Sequence, residues 1–291
     1  MRYDIRLQID YQYSAPSDQL RNILRLIPQD SPHQRILQRN LWIDPLPSER
    51  RDELDFFANM TTLAVWHQPV AQVSFTLQAQ AERLEMPHCD RAPLLSALPE
   101  AIAQAGGIAP AAPLHFRTPS ARIALAPEII EFAIEATPRN LTAYAAVAHF
   151  GRAVHDRIAF DPTATDAATP PETAFAAGRG VCQDMAQIMI AGLRGLGIPA
   201  GYVSGFLRTK PPPGQPKLAG VDAMHAWVTA WVGPEMGWVE YDPTNARWAG
   251  ADYITVAWGR DYADAAPVRG AVRTAGTQTT SHAVDVMALE G

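Results

Sequence analysis

The N-terminal residues alternate strictly between apolar and polar side chains. Tyr, Ile or Leu occupies every odd position from Tyr3 to Tyr13, and Asp, Arg or Gln occupies every even position between them. This two-residue period is typical of a β-strand with one buried face. Shorter β-like runs, broken by Pro and Asn, follow at residues 34–45, 60–69 and 71–84. We therefore predict that residues 1–88 form a small antiparallel β-sandwich domain.

The spacing of apolar residues changes to three and four after about residue 89. Alanine-rich segments at residues 126–136 and 141–160 carry this helical period. A third helix is predicted to start at Cys182 or just after it and to end before Gly197. Its apolar stripe is formed by Met185, Ile188, Met189, Leu193 and Leu196. With the strands predicted further on, residues 89–291 form an α+β core domain whose C-terminal strands are free to pack back on the first domain.

A shorter helix is predicted immediately before the Cys182 helix. Thr169 is followed three residues later by Glu172, which is the spacing of a capping box, and two prolines lie in the first turn. Gly178 is placed to end this helix. The chain would then enter the segment Arg-Gly-Val-Cys directly.

Cys182 at a helix start has two interpretations. Unpaired backbone N–H groups and the helix dipole favour a thiolate there, and the Cys182 N–H could also stabilise a developing oxyanion. Gln183 and Asp184 lie in the same first turn and are candidates for lining the oxyanion site, although Asp184 could simply complement the helix dipole. The alternative is a small buried cysteine with a purely structural role.

A histidine and an aspartate are predicted to meet on a β-hairpin downstream. With a loop over Gly233–Met236, Val232 lies opposite Gly237, and Asp242 projects from the same face as His225, one diagonal step away. A carboxylate in that position holds an imidazole in one tautomer, ready to share a proton with a thiol. The alternative is a core histidine paired with a structural aspartate.

Three neighbours of this pair are candidates for lining a cleft. Trp227 and Tyr241 lie on the two hairpin strands, and Asp222 lies three residues before the histidine. Asp222 is also well suited to a turn. The sequence shows no metal-ligand spacing and no cofactor motif, so we expect neither a metal nor a cofactor.

Composition and charge narrow the class of protein. The 291-residue chain has a net charge of −6 with scattered basic residues, which argues against nucleic-acid binding. No apolar run is long enough for a membrane helix. Only Cys89 and Cys182 are present, a usage typical of a reduced, cytoplasmic protein. These features indicate a soluble bacterial enzyme or binding protein, and they leave a homo-oligomer open.

The motifs resemble a known family. The segments GRGVCQDMAQIMIAGLRGLGIPAGYVSGFL, DAMHAWVTAWV and GWVEYDPTN closely resemble the core of bacterial transglutaminase-like proteins, which include candidate cysteine proteases. YDIRLQIDYQYSAP, LRLIP and DFFAN resemble the β-rich region that precedes this core. The resemblance implies a papain-like α+β core, with Cys182 as nucleophile, His225 as general base and acid, and Asp242 as the residue that orients the histidine.

The chemistry implied by this resemblance is acyl transfer on a peptide or protein substrate. We favour a cysteine peptidase or amidase that hydrolyses peptide or isopeptide bonds through a thioester. The alternative is an amine acyltransferase with transglutaminase activity, which needs a groove that excludes water. A third class is a non-catalytic interaction module, against which the intact Cys, His and Asp motifs argue.

Overall fold

The computed structural model describes residues 1–84, 90–209, 222–273 and 276–289. Cys89 and the predicted boundary between residues 88 and 89 lie outside these ranges. In the part of the chain that is described, no helix is long and apolar enough to cross a bilayer.

The strands follow the predicted runs closely. In chain order they are β1 (Arg2–Leu24), β2 (Gln34–Asp44), β3 (Glu49–Leu54), β4 (Met60–Trp66), β5 (Val70–Arg83), β6 (Ala159–Phe160), β7 (Arg179–Gly180), β8 (Ala200–Leu207), β9 (Ala223–Trp231), β10 (Trp238–Asp242), β11 (Arg247–Trp248), β12 (Tyr253–Gly259), β13 (Val268–Arg273) and β14 (Gln278–Leu289).

In chain order, the helices come between strands β5 and β8, except for one short helix that follows β12. They are α1 (Leu98–Ala105), α2 (Pro127–Ala136), α3 (Ala143–Arg157), α4 (Pro171–Ala177), α5 (Cys182–Gly195) and α6 (Tyr262–Ala265), with 3-10 turns at Leu95–Ala97 and Pro113–Phe116. The predicted α+β fold class with an N-terminal antiparallel sheet is therefore confirmed.

The five N-terminal strands and the C-terminal strands β13 and β14 form one seven-stranded antiparallel sheet around β1. The first half of β1 pairs with β5 and β14, and the second half pairs with β4 and β13. The predicted alternation is visible in the burial of Tyr3, Ile5, Leu7 and Ile9, all at most 4% exposed. The expected sandwich thus takes the form of one sheet, because the long β1 runs through both halves and the C-terminal strands add to it.

A second, five-stranded sheet has the order β11-β10-β9-β8-β12. Helix α5 packs against β8 and β9 on one side and against α2, α3 and α4 on the other. Its residues from Asp184 to Arg194 are all buried, as expected of a helix that forms the centre of a core. This packing fixes the start of α5 relative to the sheet.

The helix before α5 starts later than predicted. Its N-cap is Pro170, so Thr169 does not cap it and that prediction is wrong. The Thr169 hydroxyl instead donates to the Asp166 carboxylate at 3.1 Å and accepts the Asp166 N–H at 3.0 Å. The predicted end is confirmed, because Gly178 adopts the left-handed conformation with φ of 65°.

Candidate active site

Cys182 is the first residue of α5, as the apolar stripe predicted. Val181 is the extended N-cap residue, and Cys182 is a free, half-buried cysteine. The first helical turn has backbone N–H groups without helical partners, which favours negative charge beside the sulfur. The local structure therefore places a free thiol at the N-terminal end of a buried helix.

Asp184 supports the turn that delivers Cys182. Its Oδ2 accepts the Val181 N–H at 2.8 Å and the Thr165 hydroxyl at 2.5 Å, and the side chain is fully buried. A Cβ at Gly180 would lie only 2.7 Å from that oxygen, so glycine is required there. As a carboxylate, Asp184 accepts hydrogen bonds and does not donate one to an oxyanion. Its contacts assign it to holding the N-cap.

Gln183 lies in the same turn with its side chain turned toward a neighbouring loop. Its Nε2 is 3.4 Å from the Ala167 carbonyl oxygen, a long hydrogen bond. Gln183 is half-exposed. Gln183 is thus the neighbour of Cys182 in the chain, but its side-chain amide is directed at the Ala167 carbonyl and is not directed at the thiol.

The hairpin forms in the predicted register. Trp238 pairs with Trp231 and Tyr241 pairs with Val228, and the Val232 N–H donates to the Gly237 carbonyl at 3.0 Å. Because the loop has an even number of residues, the side chains of β9 and β10 project from the sheet faces that the sequence predicted. His225 and Asp242 meet on one face, and the distance from His225 Nε2 to Asp242 Oδ2 is 2.8 Å.

The Asp242 carboxylate is saturated with hydrogen-bond donors. Oδ2 accepts from His225 Nε2, from Asn245 Nδ2 at 2.6 Å and from the Tyr253 hydroxyl at 2.7 Å. Oδ1 accepts the backbone N–H groups of Thr244 at 2.8 Å and Asn245 at 3.3 Å. The side chain of Asp242 is fully buried. The aspartate is therefore held in one orientation as an anion.

Proton affinities in the site follow from these contacts. Burial raises the pKa of Asp242, but the hydrogen bond and charge of His225, with help from Asn245 and Tyr253, outweigh it and leave the pKa below its usual range. Burial lowers the pKa of His225, but hydrogen bonds and charge from Asp242 and Cys182 outweigh it and raise the pKa well above its usual range. The imidazole thus stays protonated between a carboxylate and a thiol.

Trp227 lies beside the imidazole as part of the buried wall of the site. Its ring centroid is 6.2 Å from that of His225, and the side chain is fully buried. Its indole Nε1 donates to Glu240 Oε2 at 3.1 Å. This position keeps water from one side of the His225–Asp242 pair.

Tyr241 and Asp222 are explained by packing. The Tyr241 ring lies in the helical core, where a Cβ at Gly151 would be 2.2 Å from its Cε1, and burial raises the pKa of its phenol. Asp222 accepts the Thr209 N–H at 2.6 Å and the Val286 N–H at 2.6 Å. It therefore ties the start of β9 to β14, and neither residue is brought to the thiol by these contacts.

Three residues of the site carry no prediction from the sequence. Asn245 is part of the Asp-Pro-Thr-Asn segment, so its position close behind Asp242 was a usable signal. Arg247 and Tyr253 come from β11 and β12, and Arg247 Nε donates to the Tyr253 hydroxyl oxygen at 2.9 Å. Over the ranges that the structure describes, no group of three or more His, Cys, Asp or Glu side chains is arranged to hold a metal ion.

The fold and the site define a class: a buried helix that begins at a cysteine and packs on an antiparallel sheet carrying histidine and aspartate. Family models match two regions of the chain. Residues 130–243 match the transglutaminase-like superfamily core, and residues 3–82 match the bacterial transglutaminase-like N-terminal region. The chain belongs to the transglutaminase-like superfamily.

Similar proteins match all or part of this chain. An uncharacterized protein from Mycobacterium tuberculosis is 31% identical over 300 residues, covering 100% of this chain and 94% of its own. An uncharacterized protein from Mycobacterium leprae is 40% identical over 114 residues, 38% of each chain. The crystal structure of a candidate cysteine protease from Cytophaga hutchinsonii is 19% identical and covers 100% of this chain and 91% of its own, with a TM-score of 0.74.

Proposed function

We propose that this protein is a thiol-dependent acyl-transfer enzyme, a cysteine peptidase or amidase that hydrolyses peptide or isopeptide bonds. The observation that supports the proposal most is the 2.8 Å contact between His225 Nε2 and Asp242 Oδ2, together with the hydrogen bond between the same imidazole and the Cys182 side chain. This contact occupies Nε2 and leaves Nδ1 for the thiol. The name of the Cytophaga hutchinsonii protein points in the same direction.

The proposed reaction has two halves. In the first, the Cys182 thiolate attacks the amide carbonyl, a C–S bond forms, and the Cys182 backbone N–H stabilises the oxyanion. The C–N bond then breaks as the His225 imidazolium donates its proton to the leaving nitrogen, so an amine departs and a thioester remains. In the second half, His225 removes a proton from water as hydroxide adds to the thioester carbonyl, and the C–S bond then breaks, so that the carboxylic acid leaves and the Cys182 thiolate and His225 imidazolium are restored.

The raised pKa of His225 and the lowered pKa of Asp242 support this scheme over a wide pH range. The imidazolium persists through neutral pH and is lost as pH rises through the raised pKa of His225. The Asp242 carboxylate persists below the usual range of an aspartate and is lost only in stronger acid. The imidazolium and the Asp242 carboxylate therefore coexist at mildly acidic and neutral pH.

Product analysis tests the proposal directly. The purified protein is incubated with a peptide library, with and without excess primary amine, and the products are identified by mass. We expect free carboxylic acids in both samples, whereas amine adducts would assign the chain to acyltransferases. Cys182→Ala is the control and should lose turnover. Full amidase activity in Cys182→Ala would exclude cysteine as the nucleophile.

A further inference from the structure

We propose that Tyr253 and Arg247 are positioning residues of the active site, which together hold Asp242 in the orientation that sets the tautomer of His225. The inference rests on the proposed function, because it assigns these residues a part in the same reaction. Neither residue would touch a substrate. Each acts through the carboxylate.

The hydrogen-bond directions are fixed by chemistry. A guanidinium group only donates, so Arg247 Nε–H, 2.9 Å away, makes the Tyr253 oxygen an acceptor. The phenol has one proton, and the Asp242 carboxylate at 2.7 Å can only accept it. The three groups therefore form a chain in which Arg247 donates to Tyr253 and Tyr253 donates to Asp242.

The chain ends on the oxygen that also binds the imidazole. Asp242 Oδ2 accepts both the Tyr253 hydroxyl and His225 Nε2. With Oδ2 held by the phenol, the carboxylate presents the same lone-pair geometry to the imidazole throughout the reaction. The His225 proton is thereby kept on Nε2 when the ring is neutral, and Nδ1 is kept free to accept the proton of Cys182.

Burial prevents water from replacing the phenol. Tyr253 is 1% exposed and Asp242 is fully buried. Burial and the charge of Asp242 raise the pKa of Tyr253 above its usual range, although Arg247 opposes them, so the hydroxyl stays protonated and able to donate. Loss of the hydroxyl would leave a lone pair of the carboxylate without its donor in a site that water does not fill.

The fold explains how two distant strands supply these groups. Arg247 on β11 is paired with Asp242 on β10, while β12 lies at the opposite edge of the five-stranded sheet. Only residues 249–252 connect β11 to β12, so the sheet must curl until its two edges approach each other. The Tyr253 ring packs edge-on against Trp227 at 5.3 Å, which fixes it inside the curl. The titratable groups that act on Asp242 include His225, Tyr253, Arg247 and Tyr241.

The test is Tyr253→Phe, which removes the hydroxyl and keeps the ring. We expect kcat to fall about tenfold to a hundredfold with little change in KM, the loss typical of a hydrogen bond to a buried charge. The acid limb of kcat/KM and of iodoacetamide labelling at Cys182 should move to higher pH, because Asp242 becomes easier to protonate. Arg247→Met should shift both limbs in the same direction by a smaller amount. Tyr13→Phe, a buried tyrosine of the N-terminal sheet, is the matched control and should leave both profiles unchanged.

The labelling experiment separates the proposed function from the positioning role of Tyr253 and Arg247. If the wild-type protein shows no acid-range reactivity at Cys182, the proposed function fails whatever the variants do. If the wild-type protein is reactive and Tyr253→Phe keeps both its kcat and its pH profiles, the positioning role is wrong. If Tyr253→Phe does not fold, the outcome for Arg247→Met decides, since Arg247 is exposed and its replacement does not disturb the core. Wild-type profiles in Arg247→Met would then overturn the inference.

Discussion

Arg83 connects the N-terminal sheet to the sheet that carries the site. It is the last residue of β5, its side chain is 2% exposed, and its Nη2 lies 2.9 Å from Glu240 Oε2 on β10. The same carboxylate oxygen accepts the indole N–H of Trp227 at 3.1 Å. Replacement of Arg83 by Met keeps most of the apolar stem and removes the charge. It therefore removes the ion pair with little change in packing.

The magnitude follows from the burial of the two partners. Removing one member of a buried ion pair leaves an uncompensated charge and costs about 3–5 kcal/mol. The Glu240 side chain is 19% exposed, so water can partly solvate it once Arg83 is gone. We expect Arg83→Met to lower the free energy of unfolding by about 3 kcal/mol, at the lower end of that range. The double variant Arg83→Met/Glu240→Gln should recover much of the loss, because no buried charge remains unpaired.

Urea unfolding at pH 7 measures both values, and a double-mutant cycle gives the coupling energy. Arg51→Met is the matched control: its ion pair with Glu53 is on the surface, with side chains 71% and 46% exposed, and its loss should cost less than about 1 kcal/mol. If Arg83→Met costs no more than Arg51→Met, the buried pair does not stabilise the junction. Additive losses in the double variant would also refute the reasoning.

Three further outcomes are expected. Iodoacetamide at pH 5 should label Cys182 well before Cys89, because an ordinary thiol is only about three parts in ten thousand thiolate at that pH. Equal labelling of the two cysteines, measured on the digested peptides, would contradict a thiolate–imidazolium pair between Cys182 and His225. Asp242→Asn should keep its circular dichroism spectrum and lose kcat by about 10⁴-fold through the wrong imidazole tautomer, and near-normal turnover would exclude the orienting role. Gly151→Ala should cost about 1–3 kcal/mol in thermal unfolding, since its Cβ would lie 2.2 Å from Tyr241 Cε1; an unchanged Tm would show that the core can relax there.

Local periodicity was enough to predict the elements that carry the candidate site. The register of the hairpin followed from counting residues in its loop, because side chains alternate between faces and an even-length loop preserves the face. His225 and Asp242 were thereby predicted to meet, and their 2.8 Å contact agrees with that geometry. The start of α5 at Cys182 followed from the apolar stripe and the glycines on either side. These features depend only on neighbours in sequence.

Long-range pairing was not visible in the same patterns. Tyr253 reaches Asp242 only because the sheet curls, and nothing in the local sequence of β12 indicates that curvature. The addition of β13 and β14 to β1 depends on contacts between opposite ends of the chain. Thr169 was misread for a different reason. The capping-box spacing is present, but the Asp166 turn takes the Thr169 hydroxyl first.

The N-terminal sheet contributes to the site by completing an edge strand. Strand β12 lies at the edge of the five-stranded sheet, so backbone groups on its outer side need partners. The Gln34 side chain supplies them at Thr255, donating to its carbonyl at 2.7 Å and accepting its N–H at 2.8 Å. Asn59, from the Asp-Phe-Phe-Ala-Asn segment, does the same at Trp258, at 2.8 and 2.9 Å. Because β12 begins at Tyr253, these two amides help to hold the residue that binds the catalytic carboxylate in the proposed mechanism. The N-terminal region thus contacts the proposed site through the position of one strand.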